Sequence, residues 1–382
     1  MPSLVGSEMC IRDSPETVQQ ALLKVPHKVK DVAVGLTKVS VEVEFEDETI
    51  EIDFRIVEPS AYYHTLQHFT GSKDHNIRIR QLAKARGEKV SEYGIEQPDG
   101  SLLQLDSEAA IYEHFGHEWI APPMRVDGSE FDRDLSNIVT LDDIKGDVHM
   151  HTTMSDGAFS LREMIEANIQ KGYEYMVITD HSRSLRVAHG LEIERLLRQN
   201  EEIKAMNEEY DEIDIYSGTE MDILADGTLD YPDEILAQLD YVIASIHQSF
   251  NQTQEQIMHR LEQACRNPYV RHIAHPTGRI IGRRDGYKVN MDRLFELAKE
   301  TGTILEINAN PLRLDLSAEA LRHHQDIMVT INTDAHHIDN LELMKYGIAT
   351  AQKAFIDKSR VLNTMSREDF KSFIKNNKKL KK

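Results

Sequence analysis

The chain is organised around a stretch that reads GDVHMHTTMSDG over residues 146–157. Side chains alternate between two faces in a β-strand, so His149 and His151 would point in the same direction. Two imidazole groups on one face can bind one metal ion, and Asp156 in the following loop can reach a neighbouring ion. The alternative is a pair of polar residues at the edge of a sheet. The rest of the chain decides between these two interpretations.

The same arrangement recurs further along, where apolar runs of strand length end in residues that can bind a metal ion. The runs cover residues 175–181, 213–220, 241–247, 270–276, 303–310 and 328–336. The polar residues at or near their ends are Asp180, His181, Glu220, His247, His275, Asn308, Asn310, Asp334 and His336. Helical patterns alternate with these runs, at residues 161–171, 192–208, 254–266 and 291–301. This alternation predicts an α/β fold whose parallel strands close into a barrel.

The active site of such a barrel lies at the carboxyl ends of its strands. The candidate ligands all fall there, so the sequence predicts a site for several metal ions. Histidine and carboxylate ligands suit Mn²⁺ or Zn²⁺. Neighbouring divalent ions lower the pKa of a bound water and neutralise a phosphoryl group. The expected reaction is therefore phosphoester hydrolysis that needs no serine, cysteine or histidine nucleophile.

Composition narrows the class of protein. A length of 382 residues predicts two or three domains, and 40% hydrophobic with 29% charged residues is typical of globular proteins. No apolar run approaches the roughly 20 residues that span a bilayer. The net charge of −21 argues against broad nonspecific binding to nucleic acid, although a local basic surface is compatible with it. Only Cys10 and Cys265 are cysteines, which argues against a disulfide framework and favours the reducing cytoplasm.

Residues 1–14 fit no downstream pattern and lack the features of a signal peptide, so we expect a non-native leader. A helix is predicted at residues 16–24, and alternating strands are predicted at 39–45 and 50–57 with a turn between them. Asp53 lies on the second strand, where an exposed strand face is the simple explanation. The sequence HFTGSKDHN at residues 68–76 then leads into a basic helix predicted at residues 77–86.

This first segment resembles the end of the palm and the nucleotide-binding segment of a family X DNA polymerase. The resemblance implies an α+β segment in which Asp53 is the last of three palm carboxylates. It also implies contacts to nucleotide or template from Gly71, Ser72, Asn76 and Arg80. The family's paired palm aspartates have no counterpart in this sequence, so we expect no polymerase activity from this chain. We also expect the chain to be a fragment of a longer polymerase, whose complete polymerase site would use Mg²⁺.

The second half of the chain carries a set of motifs in a fixed order. These are His-x-His with a downstream Asp, Thr-Asp-His, Gly-Thr-Glu, Ser-x-His, Ala-His-Pro and Asp-Ala-His, found between Ile144 and about Phe373. They resemble the polymerase-and-histidinol-phosphatase (PHP) domain, which implies a distorted barrel of seven strands with a trinuclear metal site. The resemblance implies a first ion on His149, His151, Glu220 and Asp334, which would be the catalytic residues. A second ion would share Glu220 and bind His247 and His275, and a third would bind Asp156, His181 and His336.

A palm remnant followed by a PHP domain is the layout of the bacterial family X polymerases with a PHP domain. We therefore expect palm and nucleotide-binding residues at 15–95, a connector at 96–142 and the PHP domain at 143–382. The boundary between the two halves is expected within residues 124–142.

Substrate contacts are predicted beside the metal ligands. Arg279, Arg283 and Arg284 follow His275, and guanidinium groups match phosphate in a bidentate manner, although solvated surface charge is the alternative. Ser182 and Arg183 follow His181 and are weaker candidates. Asp180 is expected to orient ligands rather than bind a metal ion. The remaining histidines are expected at the surface or packed in the interior; they are His64, His114, His117, His259, His272, His323, His324 and His337.

The predicted function is metal-dependent 3′–5′ exonuclease action on DNA, with processing of blocked or abasic 3′ ends in base-excision repair. The partners would be gapped or recessed DNA and three Mn²⁺ or Zn²⁺ ions, bound by a monomer without a membrane anchor. One alternative is a small-molecule phosphatase of the histidinol-phosphate type, against which the palm-like segment argues. A second is a catalytically silent domain that supports polymerase folding, against which the complete ligand set argues.

Overall fold

The computed structural model describes residues 14–45 and 48–380. The chain forms two compact units that divide in the sequence between Arg133 and Asp134. The predicted leader lies outside the described residues except for Ser14, and so do residues 46 and 47 of the predicted turn. No described helix combines the length and the hydropathy that crossing a membrane would need.

The first unit combines helices with two antiparallel sheets, which is an α+β arrangement. Its helices are α1 (Pro15–Leu22), α2 (Tyr62–Thr70), α3 (Lys73–Ala85) and α4 (Glu108–His114). Its strands are β1 (Lys28–Val34), β2 (Lys38–Phe45), β3 (Glu48–Arg55), β4 (Lys89–Ser91), β5 (Gly94–Glu96) and β6 (Leu102–Leu103). β1, β2 and β3 form one sheet in that order, and β4, β5 and β6 form the other.

The structure confirms the strands predicted at residues 39–45 and 50–57, within two residues at each described end, as β2 and β3. It adds α2 and the strands β1, β4, β5 and β6, which the sequence patterns did not indicate. Helix α3 begins at Lys73 rather than at Ile77. The reason is a cap, because the Ser72 hydroxyl accepts a hydrogen bond of 3.1 Å from the backbone N–H of His75.

The second unit alternates strands and helices. Its strands are β7 (Gly146–Asp147), β8 (Tyr175–Ile178), β9 (Asp214–Asp222), β10 (Tyr241–Ser245), β11 (Val270–Ile273), β12 (Ile304–Asn308) and β13 (Val329–Asn332). Its α-helices are α5 (Leu161–Gln170), α6 (Ile193–Met206), α7 (Asp233–Leu236), α8 (Gln254–Arg266), α9 (Met291–Thr301), α10 (Ala318–Arg322), α11 (Met344–Lys353) and α12 (Arg367–Leu380). The four helices predicted between the strands are therefore confirmed.

The seven strands form one parallel sheet in the order β13-β12-β11-β10-β9-β8-β7. Its two ends approach each other, because Met150 and Ala335 form a parallel bridge and the His151 N–H donates to the Ala335 carbonyl at 2.8 Å. Gly146 permits the close pairing of β7 with β8, since a Cβ there would lie 2.3 Å from the Tyr175 carbonyl oxygen. The predicted distorted seven-stranded barrel is confirmed.

One detail of the opening stretch differs from the prediction. Strand β7 ends at Asp147, so His149 and His151 follow the strand instead of lying within it. The chain continues in contact with the segment after β13, through the bridge between Met150 and Ala335, and this contact replaces the regular ladder. The two imidazoles still reach a common partner, since both Nε2 atoms lie within 3.3 Å of Asp334 Oδ1.

Candidate metal centre

The candidate ligands converge at the carboxyl ends of the barrel strands. Glu220 lies inside β9, and the other predicted ligands follow the strand ends in the loops. Met150, Met176, Ile178 and Met221 are inaccessible to solvent in the apolar layer that the strands share with the surrounding helices, and Tyr175, Val177, Tyr241 and Ile243 belong to a second buried cluster. Rigid strands therefore hold the polar side chains at one end of a dry core.

The first group of ligand atoms surrounds Glu220 and Asp334. His149 Nε2 lies 3.4 Å from Glu220 Oε2 and 3.3 Å from Asp334 Oδ1. His151 Nε2 lies 3.6 and 3.1 Å from the same two oxygens. All four side chains are buried, and one ligand atom of each lies within 4.8 Å of the others. This is the set predicted to hold the first ion.

The second group surrounds Asp156, which is partly exposed. His181 Nε2 lies 3.5 Å and His336 Nε2 lies 3.4 Å from Asp156 Oδ1. His151 Nδ1 lies 4.0 Å from the same oxygen, so the imidazole of His151 stands between the first two groups. The three residues predicted for the third ion are thus brought together, with His151 added to them.

The third group shares Glu220. His275 Nε2 lies 2.8 Å and His247 Nε2 lies 3.2 Å from Glu220 Oε1, as the predicted second site requires. His181 Nδ1 also approaches, at 3.0 Å from Glu220 Oε2. His181, Glu220 and His247 each offer a ligand atom within 4.8 Å of the other two. His275 joins it through the carboxylate of Glu220.

The ionisation of Glu220 and His151 matches that of metal ligands, which must be carboxylates and neutral imidazoles, whereas nearby carboxylates raise the pKa values of His149, His247 and His336 in spite of burial. Burial by itself raises the pKa of Glu220, but the neighbouring His247, His149 and His181 lower that pKa well below its usual range. Burial, reinforced by His336 and His181, lowers the pKa of His151 to about 3. The centre therefore favours ionised carboxylates beside a neutral His151.

Several buried ligand atoms have no hydrogen-bond partner among the described residues. They are His149 Nε2, His151 Nδ1, His181 Nδ1, Glu220 Oε2 and His275 Nδ1. A buried polar atom without a partner is costly, and divalent ions would satisfy such atoms. The donor set of imidazole nitrogens and carboxylate oxygens fits Zn²⁺ or Mn²⁺.

Sequence reasoning missed Glu306, which lies at the middle of β12. Its Oε1 accepts a hydrogen bond of 2.7 Å from His149 Nδ1, and its Oε2 accepts one of 2.7 Å from the His275 N–H. The side-chain amides of Asn332 and Asn308 complete its contacts at 3.0 and 3.2 Å. Glu306 thus holds two candidate ligands in place. The available signal was a charged residue inside an apolar strand.

Two other expectations concern the residues behind the ligands. Asp180 accepts hydrogen bonds from the Thr152 N–H at 2.8 Å and from the Thr152 hydroxyl at 2.6 Å, so it fixes the segment next to His151. His272 is fully buried, and its Nδ1 lies 3.0 Å from the Tyr241 hydroxyl. Its packed position agrees with the expectation for the histidines outside the motifs.

The arginines predicted to contact substrate have varied surroundings. Arg279 donates to the backbone carbonyls of Arg313 and Leu314, and Arg284 donates to the Gly278 carbonyl at 2.8 and 3.1 Å, while Arg283 is exposed. Arg313, which the sequence did not single out, has its Nε 3.6 Å from Asp334 Oδ2. Arg279 therefore supports the loop that carries Arg313 to the centre.

The remaining candidates near the barrel centre contact the protein itself. Arg183 donates to the Asp230 carbonyl at 2.7 Å and pairs with its carboxylate at 3.3 Å. The buried Ser182 hydroxyl accepts a hydrogen bond of 2.9 Å from the Asp222 N–H. Their predicted contact with substrate stays a prediction.

The polymerase-type residues of the first unit are placed as follows. Ser72 caps α3 and donates to the Val126 carbonyl at 2.6 Å, and Asn76 is buried, with its amide bonded to Gln67 and to the His68 carbonyl. The Gly71 backbone packs closely against Asn76, since a Cβ at Gly71 would lie 3.0 Å from the Asn76 side chain. Arg80 is exposed on α3, and Asp53 on β3 pairs with Lys38 at 2.9 Å. Their predicted contacts with nucleotide stay predictions.

Comparisons with known proteins identify two regions. Residues 65–126 match the family model of the DNA polymerase beta thumb, and residues 147–310 match that of the PHP domain. The thumb match begins inside the segment predicted as palm and nucleotide-binding residues and ends inside the predicted connector. The predicted domain limits therefore stay predictions.

Individual relatives extend this result. The chain is 52% identical over 370 residues to the DNA polymerase/3′-5′ exonuclease PolX of Bacillus subtilis, which covers 96% of the chain and 65% of that relative. It is 34% identical over 167 residues to a protein named probable phosphatase from Caldanaerobacter subterraneus, covering 42% of the chain and 61% of that protein. The chain thus spans less than two thirds of either relative's own length.

Among solved structures, a histidinol phosphate phosphatase from Lactococcus lactis, complexed with zinc, L-histidinol and phosphate, is 19% identical. It covers 53% of the chain and 92% of its own length, with a TM-score of 0.39.

Proposed function

The chain belongs to the bacterial family X DNA polymerases that carry a PHP domain, and from this premise we propose that its second unit hydrolyses phosphodiester bonds at the 3′ ends of DNA. The observation that carries the proposal is the sharing of Glu220 and His151 between overlapping ligand groups. Overlapping groups can hold neighbouring ions within a few ångströms, which is the arrangement of multi-metal phosphoesterases.

We assign three divalent ions, Mn²⁺ or Zn²⁺, to these groups. The first would bind His149, His151, Glu220 and Asp334; the second Glu220, His247 and His275; and the third Asp156, His181 and His336. Ions bound there would supply a water of lowered pKa and would neutralise the charge of the phosphate. These nine side chains are the metal-ligand candidates, and His149, His151, Glu220 and Asp334 are the catalytic candidates.

The residues around the centre support a phosphate substrate. Arg313 lies beside Asp334 with its side chain only 19% exposed, so its guanidinium is directed to the centre and not to bulk solvent. A guanidinium there would bind a phosphate oxygen and hold the ester against the ligands. Arg283, exposed in the loop after His275, would bind the phosphate backbone further away.

The proposal also covers the DNA partner, the oligomeric state and the cellular compartment. The polymerase thumb match supports DNA as the partner, and we propose gapped or recessed 3′ ends, with repair of blocked or abasic termini, as the biological substrates. We propose that the chain acts as a monomer in the cytoplasm, which agrees with its low cysteine content.

The test is degradation of a 5′-labelled oligonucleotide with a recessed 3′ end, with Mn²⁺ and again with chelator. We expect stepwise 3′ shortening that requires metal and is lost in the double variant His149→Ala, His151→Ala. His259→Ala is the matched control, because His259 is an exposed histidine of the same unit. Shortening that persists in the double variant, or that proceeds with chelator present, would refute the proposal.

The second candidate function is hydrolysis of a small phosphate monoester. The observation that favours it is the match of the barrel region to proteins named probable phosphatases. It predicts release of inorganic phosphate from histidinol phosphate without shortening of DNA. Comparing the kcat/KM values of the same preparation on the two substrates decides between the candidates.

A further inference from the structure

A cavity of about 930 Å³ opens between two loops of the second unit, each of which follows a candidate metal ligand in the chain. One wall is formed by residues 249–252 and Gln256, and the other by residues 284–288. The first wall follows His247 in the chain, and the second belongs to the loop that follows His275. Both histidines contact Glu220, so each wall extends from a candidate metal ligand. We call this cavity the base pocket.

The base pocket contains flat groups in fixed positions. The rings of Phe250 and Tyr287 are nearly parallel, with 6° between their planes and 6.1 Å between their centroids. The Arg284 guanidinium lies 4.2 Å from the centroid of Phe250. Two of its nitrogens donate to the Gly278 carbonyl at 3.1 and 2.8 Å, so the guanidinium is held in place.

Hydrogen bonds from Arg260 also support the wall that carries Phe250. Arg260 is fully buried and donates to the Gln248 carbonyl at 3.1 Å and to the Gln252 side-chain oxygen at 2.9 Å. These bonds hold the backbone before Phe250 and the Gln252 side chain after it. The ring is therefore presented by a supported loop and does not need ordering when a ligand binds, which favours affinity.

The chemistry of the base pocket fits one class of ligand. Proteins that bind unpaired nucleic acid stack bases on aromatic rings and guanidinium planes and place basic groups along the phosphates. Phe250 and Arg284 provide the planar surfaces, and Lys288 adds a positive charge at the wall. The volume lies within the range of ligand sites in proteins. The amide of Gln252 is engaged with Arg260 and with the Ala225 carbonyl, so recognition by stacking is favoured over reading of base edges.

We propose that the base pocket binds an unpaired nucleobase next to the phosphodiester bond that is hydrolysed, with Phe250 as the stacking surface. The proposal rests on the proposed function, since the base belongs to the DNA 3′ end held at the metal centre. A base in the pocket has left the duplex stack, and extrusion costs least for a frayed or single-stranded end. A recessed 3′ end would therefore have to fray before its terminal base could enter the pocket.

The test compares four combinations, in which the base is present in or absent from the substrate and the aromatic ring is present in or absent from the protein. One oligonucleotide carries normal nucleotides on both sides of its terminal phosphodiester bond, and the other carries abasic residues there. For the unmodified protein we expect kcat/KM to fall roughly 5- to 100-fold when the bases are missing, as the worth of one base–aromatic stack implies. In Phe250→Leu the two substrates should give nearly equal kcat/KM values. Because each protein is its own reference, partial misfolding does not imitate this result.

Two further variants and a binding measurement complete the test. Phe250→Trp should keep the preference for bases, since it keeps an aromatic ring. Tyr346→Leu, which removes an exposed ring on α11, should leave the preference unchanged. An oligonucleotide ending in 2-aminopurine with phosphorothioate linkages should lose fluorescence on binding to the unmodified protein and to Phe250→Trp, but much less on binding to Phe250→Leu.

The outcomes separate this inference from the proposed function. If the unmodified protein shortens DNA with metal and Phe250→Leu keeps the full preference for bases, the inference fails while the proposed function stands. If the unmodified protein cleaves no oligonucleotide but hydrolyses a phosphate monoester, the proposed function fails and the inference falls with it. A preference that disappears in Phe250→Leu and persists in Phe250→Trp supports both.

Discussion

Asp53 in the first unit and Glu220 in the second are both carboxylates on a β-strand, and their surroundings are opposite. The Asp53 side chain is 46% exposed and pairs with Lys38 at 2.9 Å. The Glu220 side chain is 1% exposed, and five histidines lie 2.8–3.6 Å from its oxygens. An exposed ion pair is already solvated and contributes little to stability. A buried carboxylate is costly unless charged or metal partners compensate it, so Glu220 indicates function where Asp53 does not.

The sheets that carry the two residues differ in the same way. On β3 the apolar side chains of Ile50 and Ile52 remain 42% and 36% exposed. On β8 and β10 every residue is buried. The first sheet therefore contributes little apolar burial around Asp53, whereas the barrel surrounds Glu220 with a rigid, dry environment. The comparison predicts that substitutions at the barrel centre have large effects on metal binding and that matched substitutions on β3 have small ones.

The largest effect is expected for Glu220→Gln. Glutamine keeps the size of the side chain but removes the negative charge shared between two ligand groups, so the ions lose a common ligand. We expect metal-dependent hydrolysis to fall by more than about 100-fold, beyond the loss typical of residues that only support a ligand. Calorimetric metal titration and the exonuclease assay measure it. Glu234→Gln, at an exposed glutamate of the same unit, is the control, and unchanged metal stoichiometry and affinity in Glu220→Gln would contradict the prediction.

A smaller effect is expected for Glu306→Gln. The new amide group would face either the His149 Nδ1–H or the His275 N–H, so one donor would point at another donor. Substitution of such a supporting residue typically costs about 10- to 100-fold in metal affinity or activity. Competition with a chelating dye measures the affinity. Glu300→Gln, at an exposed glutamate of α9, should leave the affinity as it is, and equal affinities in the two variants would show that Glu306 has no positioning role.

Most of the candidate ligands could be picked out from the sequence because they stand at or near the ends of apolar runs, and parallel strands bring their carboxyl ends together. His149, His247, His275 and Asp334 could be assigned in this way without any knowledge of distances. The helices between the strands followed from their periodicity. Strand length was less predictable: β7 ends at Asp147, because Met150 bridges to Ala335, a partner far along the chain.

Glu306 and Arg313 were not predicted, and the reason is physical. Glu306 reaches His149 across 157 residues of sequence, and Arg313 reaches Asp334 from a loop that no periodic pattern defines. Such contacts exist only after the barrel closes. The local clue to Glu306 was its charge within a buried strand, since a buried carboxylate requires donors nearby. Strand β1 of the first unit, which was also not predicted, shows the same limit, because it is defined by its pairing with β2.

Removal of metal should lower the unfolding temperature of the second unit and leave that of the first unit unchanged. Ions that bind only the folded barrel stabilise it by about 2.7 kcal/mol at a free concentration of 100 times Kd. Chelator should then lower the barrel transition by roughly 5–10 °C for a unit of this size. Trp119 is the sole tryptophan and lies in the first unit, so its fluorescence reports that unit while circular dichroism reports both. An equal shift of the fluorescence transition would show that the metal response is not confined to the barrel.

The smallest effect is expected for Asp53→Asn. The Ser40 hydroxyl and the Lys38 ammonium hold the pKa of Asp53 below its usual value. A folded-state pKa that is lowered stabilises the protein above the unfolded pKa, and that contribution is lost as the pH falls through the folded pKa. Because the carboxylate is nearly half exposed, solvent screening limits the contribution to less than about 1 kcal/mol.

Urea unfolding followed by Trp119 fluorescence measures this difference at neutral pH and again below the usual Asp pKa of 3.8. The two proteins should differ slightly at neutral pH and converge in acid, where the carboxylate is protonated. Hydrolysis by the barrel should be the same in both. If Asp53→Asn instead removed hydrolysis or cost several kcal/mol, the contrast between an exposed pair and a buried centre would not explain which carboxylates of this chain are functional.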